Sequence, residues 1–304
     1  MSRPPSRLAR VLARGQFAVT AEVVPPRSAD PATVEAHGRA LVGYADAVNV
    51  TDNPRASAHM SAVTGAGLLA GLGLEPILQI TVRDRNRLAL TSDLLGAWAL
   101  GARSILCLSG DPLSVGDHPG ATAVRDLSVL DLVSLAARLR DEGRPLEGRP
   151  IEAPPRYFIG VADAPLIAEY DPGRLEAKLD AGADFVQTQI AYDFDALRSW
   201  AETVGSRGIL DRASVIVGMT PLRSARTARF MNENLFGVTV PQRIIDALEE
   251  AGPRAEDVGV DMAIELVQGL RSIPGIAGVH IMALGRDEVI RRVVEGAGLF
   301  PRPV

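Results

Sequence analysis

Phe17-Ala-Val-Thr-Ala-Glu-Val-Val24 runs directly into Pro25-Pro26. The run is apolar and β-branched, and the prolines end it, so it reads as a strand. Glu22 lies two residues before its last position. A carboxylate inside an apolar strand is costly if it is charged and unpaired. An outward-facing Glu on an alternating strand would avoid that cost. So would a strand end that opens onto a pocket, and there the carboxylate has chemistry to do. Other strand ends favour the second reading, because they carry polar groups in the same place.

Strand-like runs recur at 45–50, 76–81, 104–109, 157–162, 183–189, 214–219 and 279–284, each bounded by turn residues. Segments with helical spacing lie between them, at 56–70, 87–100, 129–140, 173–181, 194–204 and 261–271. Gly73, Gly101, Gly182 and Gly208 stand where helix C-terminal glycines belong. Alternating strands and helices imply parallel strands with right-handed crossovers. Eight such units close into a (β/α)8 TIM barrel, the α/β class expected here. A doubly wound open sheet would want a glycine-rich phosphate turn after the first strand. Val24-Pro25-Pro26-Arg27 is not one. The expected organisation is one barrel domain over 1–304, with a short N-terminal arm (1–15) and a Pro/Gly-rich surface loop (143–155).

The 304 residues are 47% apolar, enough for a full core in one domain of this class. No apolar stretch suggests a membrane span, and the Arg-bearing N-terminus has no signal-peptide core. The single cysteine, Cys107, excludes an internal disulfide and suits the cytoplasm. With a net charge of −5 and no basic, aromatic-backed cluster, nucleic acid is not an expected partner. His37, His59, His118 and His280 show no metal-ligand spacing, so no metal is expected. His280 and Cys107 read as packed interior residues. Neither a nucleophile elbow nor a phosphate-binding loop appears. The chemistry is therefore assigned to a cofactor or reactive substrate that the protein positions.

In a barrel of this kind the active site lies at the C-terminal strand ends. Those ends carry Glu22, then Thr51-Asp52-Asn53, then Gln79 with Thr81. Next come Ser109-Gly110-Asp111, Asp163, Thr188-Gln189, Thr220 and Gly285-Arg286. Hydroxyls, amides, carboxylates and one Arg around a mouth suit a flat, heteroatom-rich ligand. Asn53-Pro54 and Asp111-Pro112 are also ordinary turn chemistry, and Gln189 could simply cap the barrel.

These ends are ordered within longer motifs. They are Ala-Glu-Val-Val-Pro-Pro (21–26), Val-Asn-Val-Thr-Asp-Asn (48–53), Leu-Ser-Gly-Asp-Pro (108–112) and Lys-Leu-Asp-Ala-Gly-Ala-Asp-Phe-Val-Gln-Thr-Gln (178–189). Val-Gly-Met-Thr-Pro (217–221), Gly-Val-Thr-Val-Pro (237–241) and Val-His-Ile-Met-Ala-Leu-Gly-Arg (279–286) follow. Together, from about Phe17 to Val294, they resemble the methylenetetrahydrofolate reductase family. That resemblance implies a (β/α)8 barrel carrying FAD. It implies reduction of 5,10-methylenetetrahydrofolate to 5-methyltetrahydrofolate, a step of one-carbon metabolism and methionine biosynthesis, with NADH or NADPH as donor.

By position, Glu22 resembles the family's general acid and Asp111 its pterin-contacting carboxylate near the flavin. Gln189 and Arg286 resemble folate contacts, and Phe230 or Met231 the nicotinamide-stacking position. Thr51, Asp52, Gln79, Ser109, Gly110, Asp171, Arg174 and Lys178 fall on the flavin side. Lys178 is the only lysine of the chain.

The chain also departs from the family pattern. Gln79 replaces a common histidine, Ser109 replaces the Arg of Arg-Gly-Asp, and Arg174 stands where some members have Asn. The end of the fifth strand lacks the Tyr and His of some members. Four readings follow. One is a flavin-dependent reductase, and a second is flavin-free hydride transfer from NADH. A pterin-binding methyltransferase barrel and a non-catalytic subunit that joins a partner reductase are the others. A homo-oligomer is open in each, and no regulatory extension is expected.

Overall fold

Eight parallel strands close into a barrel, β1 through β8 in chain order, with β8 pairing back onto β1. This is a computed structural model, and it describes residues 6–283 and 285–303. The strands are β1 (Ala18–Val23), β2 (Ala47–Val50), β3 (Pro76–Thr81), β4 (Ser104–Leu108), β5 (Phe158–Asp163), β6 (Phe185–Ile190), β7 (Ser214–Met219) and β8 (Ile276–Ile281). The helices begin with α1 (Arg7–Ala13), α2 (Ala32–Leu41), α3 (Ala62–Gly71), α4 (Arg87–Ala99), α5 (Val129–Glu142) and α6 (Pro172–Asp180). They continue with α7 (Phe194–Gly205), α8 (Ile209–Arg212), α9 (Ala225–Asn234), α10 (Gln242–Ala251), α11 (Ala255–Leu270) and α12 (Asp287–Gly296). The (β/α)8 expectation therefore holds. Gly73, Gly101, Gly182 and Gly208 all adopt the positive φ expected after helices.

Strand alternation sorts the side chains. Val19, Ala21 and Val23 of β1 belong to the main core with residues of the surrounding helices. Ala18 joins Ala47, Ile77, Leu106, Phe158, Phe185 and Ile216 in a separate apolar layer. Leu8, Ala9 and Val11 of α1 complete that layer, so α1 seals the floor of the barrel.

Here the structure corrects the sequence reading, which took 1–15 as an arm. The helix is pinned by Glu75, whose carboxylate accepts from Ser6 Oγ at 2.6 Å, Leu8 N at 3.2 Å and the amide of Arg7. A helix this short is marginal in water and needs such tertiary contacts.

α3 begins at Ala62, not at 56 as the spacing suggests. Asn53, Arg55 and Ala56 take left-handed φ values, which break the helix. The reading of 261–271 captures only the end of α11, and α9 and α10 are additional. The 143–155 segment contains no helix or strand and follows a left-handed Gly143 that caps α5. The last expected strand shifts to Ile276–Ile281, and Leu284 lies outside the described residues.

Two expected results arise from this packing. A Cβ on Gly160 would lie 2.2 Å from the Phe185 ring, which stacks on Phe158 at 5.0 Å. Gly160→Ala should destabilise the fold by about 1–3 kcal/mol through overpacking, read as a lower urea midpoint. Cys107 is buried, and burial pushes its thiol far above the ordinary range. Its reaction with a thiol reagent in native buffer should therefore be slow, and it should react promptly once denaturant opens the barrel.

Candidate active site

Above the apolar floor the barrel interior turns polar. Thr20, Asn49 and His280 are fully buried, and Gln187 is nearly so. Asn49 Nδ2 donates to Gln187 Oε1 at 2.7 Å, and Thr20 Oγ1 lies 2.9 Å from His280 Nδ1. Glu22 stands one alternation above Thr20 on β1 and points the same way. Its Oε2 is 3.5 Å from Gln79 Nε2 and 3.9 Å from His280 Nε2, and its side chain is 13% exposed. The carboxylate therefore faces the interior and the mouth, and the outward-facing reading is excluded. Gln79 comes to Glu22 because β3 stands two strands away across β2.

The β2 and β4 loops meet above β3. Asp111 is exposed on the rim, and its Oδ2 accepts from the left-handed Arg55 amide at 2.7 Å. Arg83 is buried beneath this junction. It donates to the Asp111 carbonyl at 3.2 Å and the Asn53 carbonyl at 3.3 Å, and it pairs with Asp84 at 2.7 Å. That contact holds the Asp84 carboxyl below its ordinary range. Gly110 is left-handed there, and a Cβ on it would lie 3.0 Å from Arg83 Cβ. Ser109 is exposed beside it.

The sequence reading missed Arg83. The charged run Arg83-Asp84-Arg85 directly after the third strand was the available signal.

Among the flavin-side residues the structure separates free groups from engaged ones. Thr51 is buried and its Oγ1 has no hydrogen-bond partner. Asp52 is committed within the protein: Arg85 reaches both its oxygens, at 2.6 and 3.0 Å, and Thr81 donates twice. A cofactor contact from Asp52 would therefore have to use Oδ1, which accepts from Arg85 alone, or displace one of these bonds.

Lys178 Nζ donates to the Ala162 carbonyl at 2.6 Å and lies 3.8 Å from Asp163. Burial lowers the lysine's pKa and raises that of Asp163, and Tyr170 donates to that aspartate at 2.8 Å. The lysine is therefore turned inward. Asp171 caps α6 by accepting from Gly173 N at 2.9 Å. Arg174, exposed, has only a 3.9 Å pairing with Asp171 among the described residues.

On the opposite side of the mouth, Gln189 Nε2 donates to the Phe236 carbonyl at 3.1 Å. Arg286 spans Glu256 at 2.7 Å and the Pro221 carbonyl at 3.2 Å. Met231, on α9, is buried in a cluster with residues of α10, and its sulfur lies 3.8 Å from the Tyr192 hydroxyl. Phe230 is 45% exposed and remains available.

A cavity of about 990 Å³ opens at the opposite end of the barrel, lined by Leu12, Phe17, Arg271 and Pro303. It lies at the strand N-termini, away from these groups. Among the described residues no three His, Cys, Asp or Glu side chains cluster as metal ligands. Among the same residues no helix is long and apolar enough to cross a membrane.

A closed (β/α)8 barrel with a carboxylate inside a polar mouth defines the class: a barrel of the kind whose active sites lie at the C-terminal strand ends. The sequence pattern of the family Methylenetetrahydrofolate reductase matches residues 7–298, and the chain belongs to that family. It is 27% identical over 240 residues to Methylenetetrahydrofolate reductase 1 of Schizosaccharomyces pombe, covering 75% of this chain and 36% of that protein. It is 24% identical to 5,10-methylenetetrahydrofolate reductase of Escherichia coli, covering 77% of this chain and 74% of that one. The chain thus spans about a third of the length of the yeast relative and about three quarters of the bacterial one. A Clostridium thermocellum protein described as binding two copies of 5-methyl-5,6,7,8-tetrahydrofolic acid shares the fold. Its TM-score is 0.64 and its identity 14%, over 96% of this chain and 98% of that one.

Proposed function

We propose that the chain reduces 5,10-methylenetetrahydrofolate to 5-methyltetrahydrofolate, with NADH or NADPH as the electron source. The observation that carries this reading is Glu22, interior, partly exposed and held on one oxygen only. Family membership and the relatives' names support the same substrate.

The proposed chemistry needs a proton and a hydride. The carbon–nitrogen bond to the departing nitrogen of the imidazolidine ring breaks as that nitrogen takes a proton from the Glu22 carboxyl. The iminium left behind accepts a hydride at the exocyclic carbon, which becomes the methyl group. Partial withdrawal of Glu22 from water suits it to this general-acid role. Asp111, on the rim, accepts hydrogen bonds from pterin N–H groups, and Gln189, whose amide is held by the Phe236 carbonyl and Ile190 N, would exchange those bonds for the ligand's on the opposite side. Arg286 would exchange its Glu256 contact for a folate carboxylate, and Phe230 offers a face for the nicotinamide ring.

The residues fit FAD in part. The orphaned Thr51 Oγ1, exposed Ser109, the Gly110 turn and exposed Arg174 are the groups that would hold it. When bound, FAD supplies a carrier that takes the hydride from the nicotinamide and passes it to the substrate. Thr51→Val should weaken FAD binding by up to about tenfold, the worth of one neutral hydrogen bond, in a fluorescence titration. Unchanged affinity would remove Thr51 from the site.

Asp52 and Lys178 favour a second reading, direct hydride transfer from NADH, because both are engaged within the protein. An absorbance spectrum before and after anaerobic NADH, with a turnover assay, tests both. Flavin bands that bleach support the carrier. Turnover by protein that stays colourless after incubation with FAD supports direct transfer. No turnover of methylenetetrahydrofolate with either nicotinamide sinks the proposed activity.

A further inference from the structure

A second cavity, of about 450 Å³, lies outside the barrel wall, between β7 and helices α7, α10 and α11. Its walls are mostly apolar, with Tyr192, Met219, Leu222, Ile244, Met262 and Leu266 among them. Met219 faces the helices, as Val215 and Val217 of the same strand do. Gly259, Met262, Ala263, Leu266 and Gly269 share one face of α11 by helical spacing, and all of them line the cavity.

The two glycines explain why the space exists. A Cβ on Gly259 would run into the Leu222 carbonyl, and one on Gly269 would lie 2.9 Å from the Phe194 ring. α11 therefore touches its neighbours closely at two points about 15 Å apart along its axis. The stretch between them spans a gap that its own side chains leave unfilled.

Two charged side chains line the same cavity, Arg243 and Glu265, and both are exposed. Among the described residues neither has a hydrogen bond or ion pair. Nearby arginines differ: Arg229, Arg286 and Arg292 are each paired with a carboxylate. Arg243 stands in the first turn of α10, whose N-terminus no side chain caps, so the helix dipole adds to its attraction for an anion. An apolar cavity bordered by one unpaired cation and one unpaired anion complements a molecule with an apolar body and both charges.

We propose that this cavity binds a free apolar L-amino acid of the size of leucine, methionine or phenylalanine. Its carboxylate pairs with Arg243, its ammonium with Glu265, and its side chain enters between Met219, Met262 and Leu266, where thioethers adapt to differing shapes. The site shares walls with the groups that hold Arg286. Tyr192 donates its hydroxyl to the Thr220 carbonyl at 2.8 Å. Arg286 is held by the next carbonyl, that of Pro221, at 3.2 Å, and by Glu256 of α11 at 2.7 Å. An occupant that displaces α11 or residues 220–222 displaces Arg286 with them. This coupling rests on the reading of Arg286 as a folate contact, and it should appear as a changed KM for methylenetetrahydrofolate with kcat little altered.

A ligand-detected NMR titration of the full chain tests the site without turnover. Leucine, methionine and phenylalanine should bind, and glycine should not. Leucinamide, which lacks the carboxylate, should bind at least about tenfold more weakly than leucine. Arg243→Ala should weaken leucine binding by about ten- to a hundredfold, the worth of a hydrogen bond to a charged group, and should leave leucinamide unaffected. Ala263→Leu extends a side chain into the cavity and should abolish binding, with a thermal scan showing that both variants are folded. No binding of the three amino acids at millimolar concentration, equal affinity for leucine and its amide, or indifference to Arg243→Ala would overturn the site. A dimer that Arg243→Ala disperses would place a second copy of the chain there and overturn it as well. Binding that leaves KM unchanged would overturn the coupling alone. Absence of turnover would sink the proposed activity, with the site still decided by the titration.

Discussion

Glu22→Gln should lower kcat by about 10²- to 10⁴-fold, the range for loss of a positioned general acid. KM should stay within a few-fold, because Gln keeps the shape of the side chain and can still meet Gln79 and His280. What it lacks is the acidic proton. A loss confined to kcat marks an interaction made in the transition state, whereas a rise in KM alone would mark a binding group. The decisive measurement is steady-state reduction of methylenetetrahydrofolate alongside a thermal scan showing that the variant is folded. An unchanged rate would remove Glu22 from the mechanism, and the activity would need another proton source.

The largest expected effect on stability lies at the other end of the barrel. Asp46 is buried just before β2 and accepts from Val19 N at 2.8 Å. Arg302, from the C-terminal tail, donates its Nε to Asp46 at 3.2 Å, its Nη1 to the Leu299 carbonyl at 2.9 Å and its Nη2 to the Phe17 carbonyl at 2.7 Å. One guanidinium thus ties the tail to the start of β1 and the entry to β2. Removing one member of a buried pair costs about 3–5 kcal/mol, and here Asp46 would keep as a cationic partner only the more distant Arg7, at 3.9 Å, among the described residues. Arg302→Ala should therefore lower the thermal midpoint by about 5–10 °C. Arg302→Lys should not restore it, since an ammonium cannot reach acceptors in three directions as the planar fork does. A midpoint within about 1 °C of wild type would show that the tail contributes little.

The strand pattern was legible because a buried parallel strand is a short apolar run ended by turn residues. The expected 76–81 and 214–219 coincide with β3 and β7. Helix starts were less legible. The spacing carries the third helix back to Ala56, yet Asn53, Arg55 and Ala56 are left-handed because the loop is held from outside. Asp111 takes the Arg55 amide, Arg83 takes the Asn53 carbonyl, and His59 N donates to Asn53 Oδ1 at 3.0 Å. α1 was hidden for a similar reason, since a seven-residue helix exists only because Glu75 and the barrel floor hold it.

By itself the sequence determined the repeating βα units, hence the closed barrel, and the polar strand ends around its mouth, Glu22 first among them. Those are local properties: the side-chain period along a strand, and the turn that ends it. Only the tertiary structure decided which polar groups meet. β8 pairs with β1 when the barrel closes, which brings His280 beside Thr20 and beneath Glu22 across some 260 positions of sequence. The same closure commits Asp52 to Arg85 and buries Met231 while Phe230 stays open. Composition and spacing record what each residue can donate or accept. Whether a partner already fills that capacity depends on contacts between distant strands, and these exist only once the chain has folded.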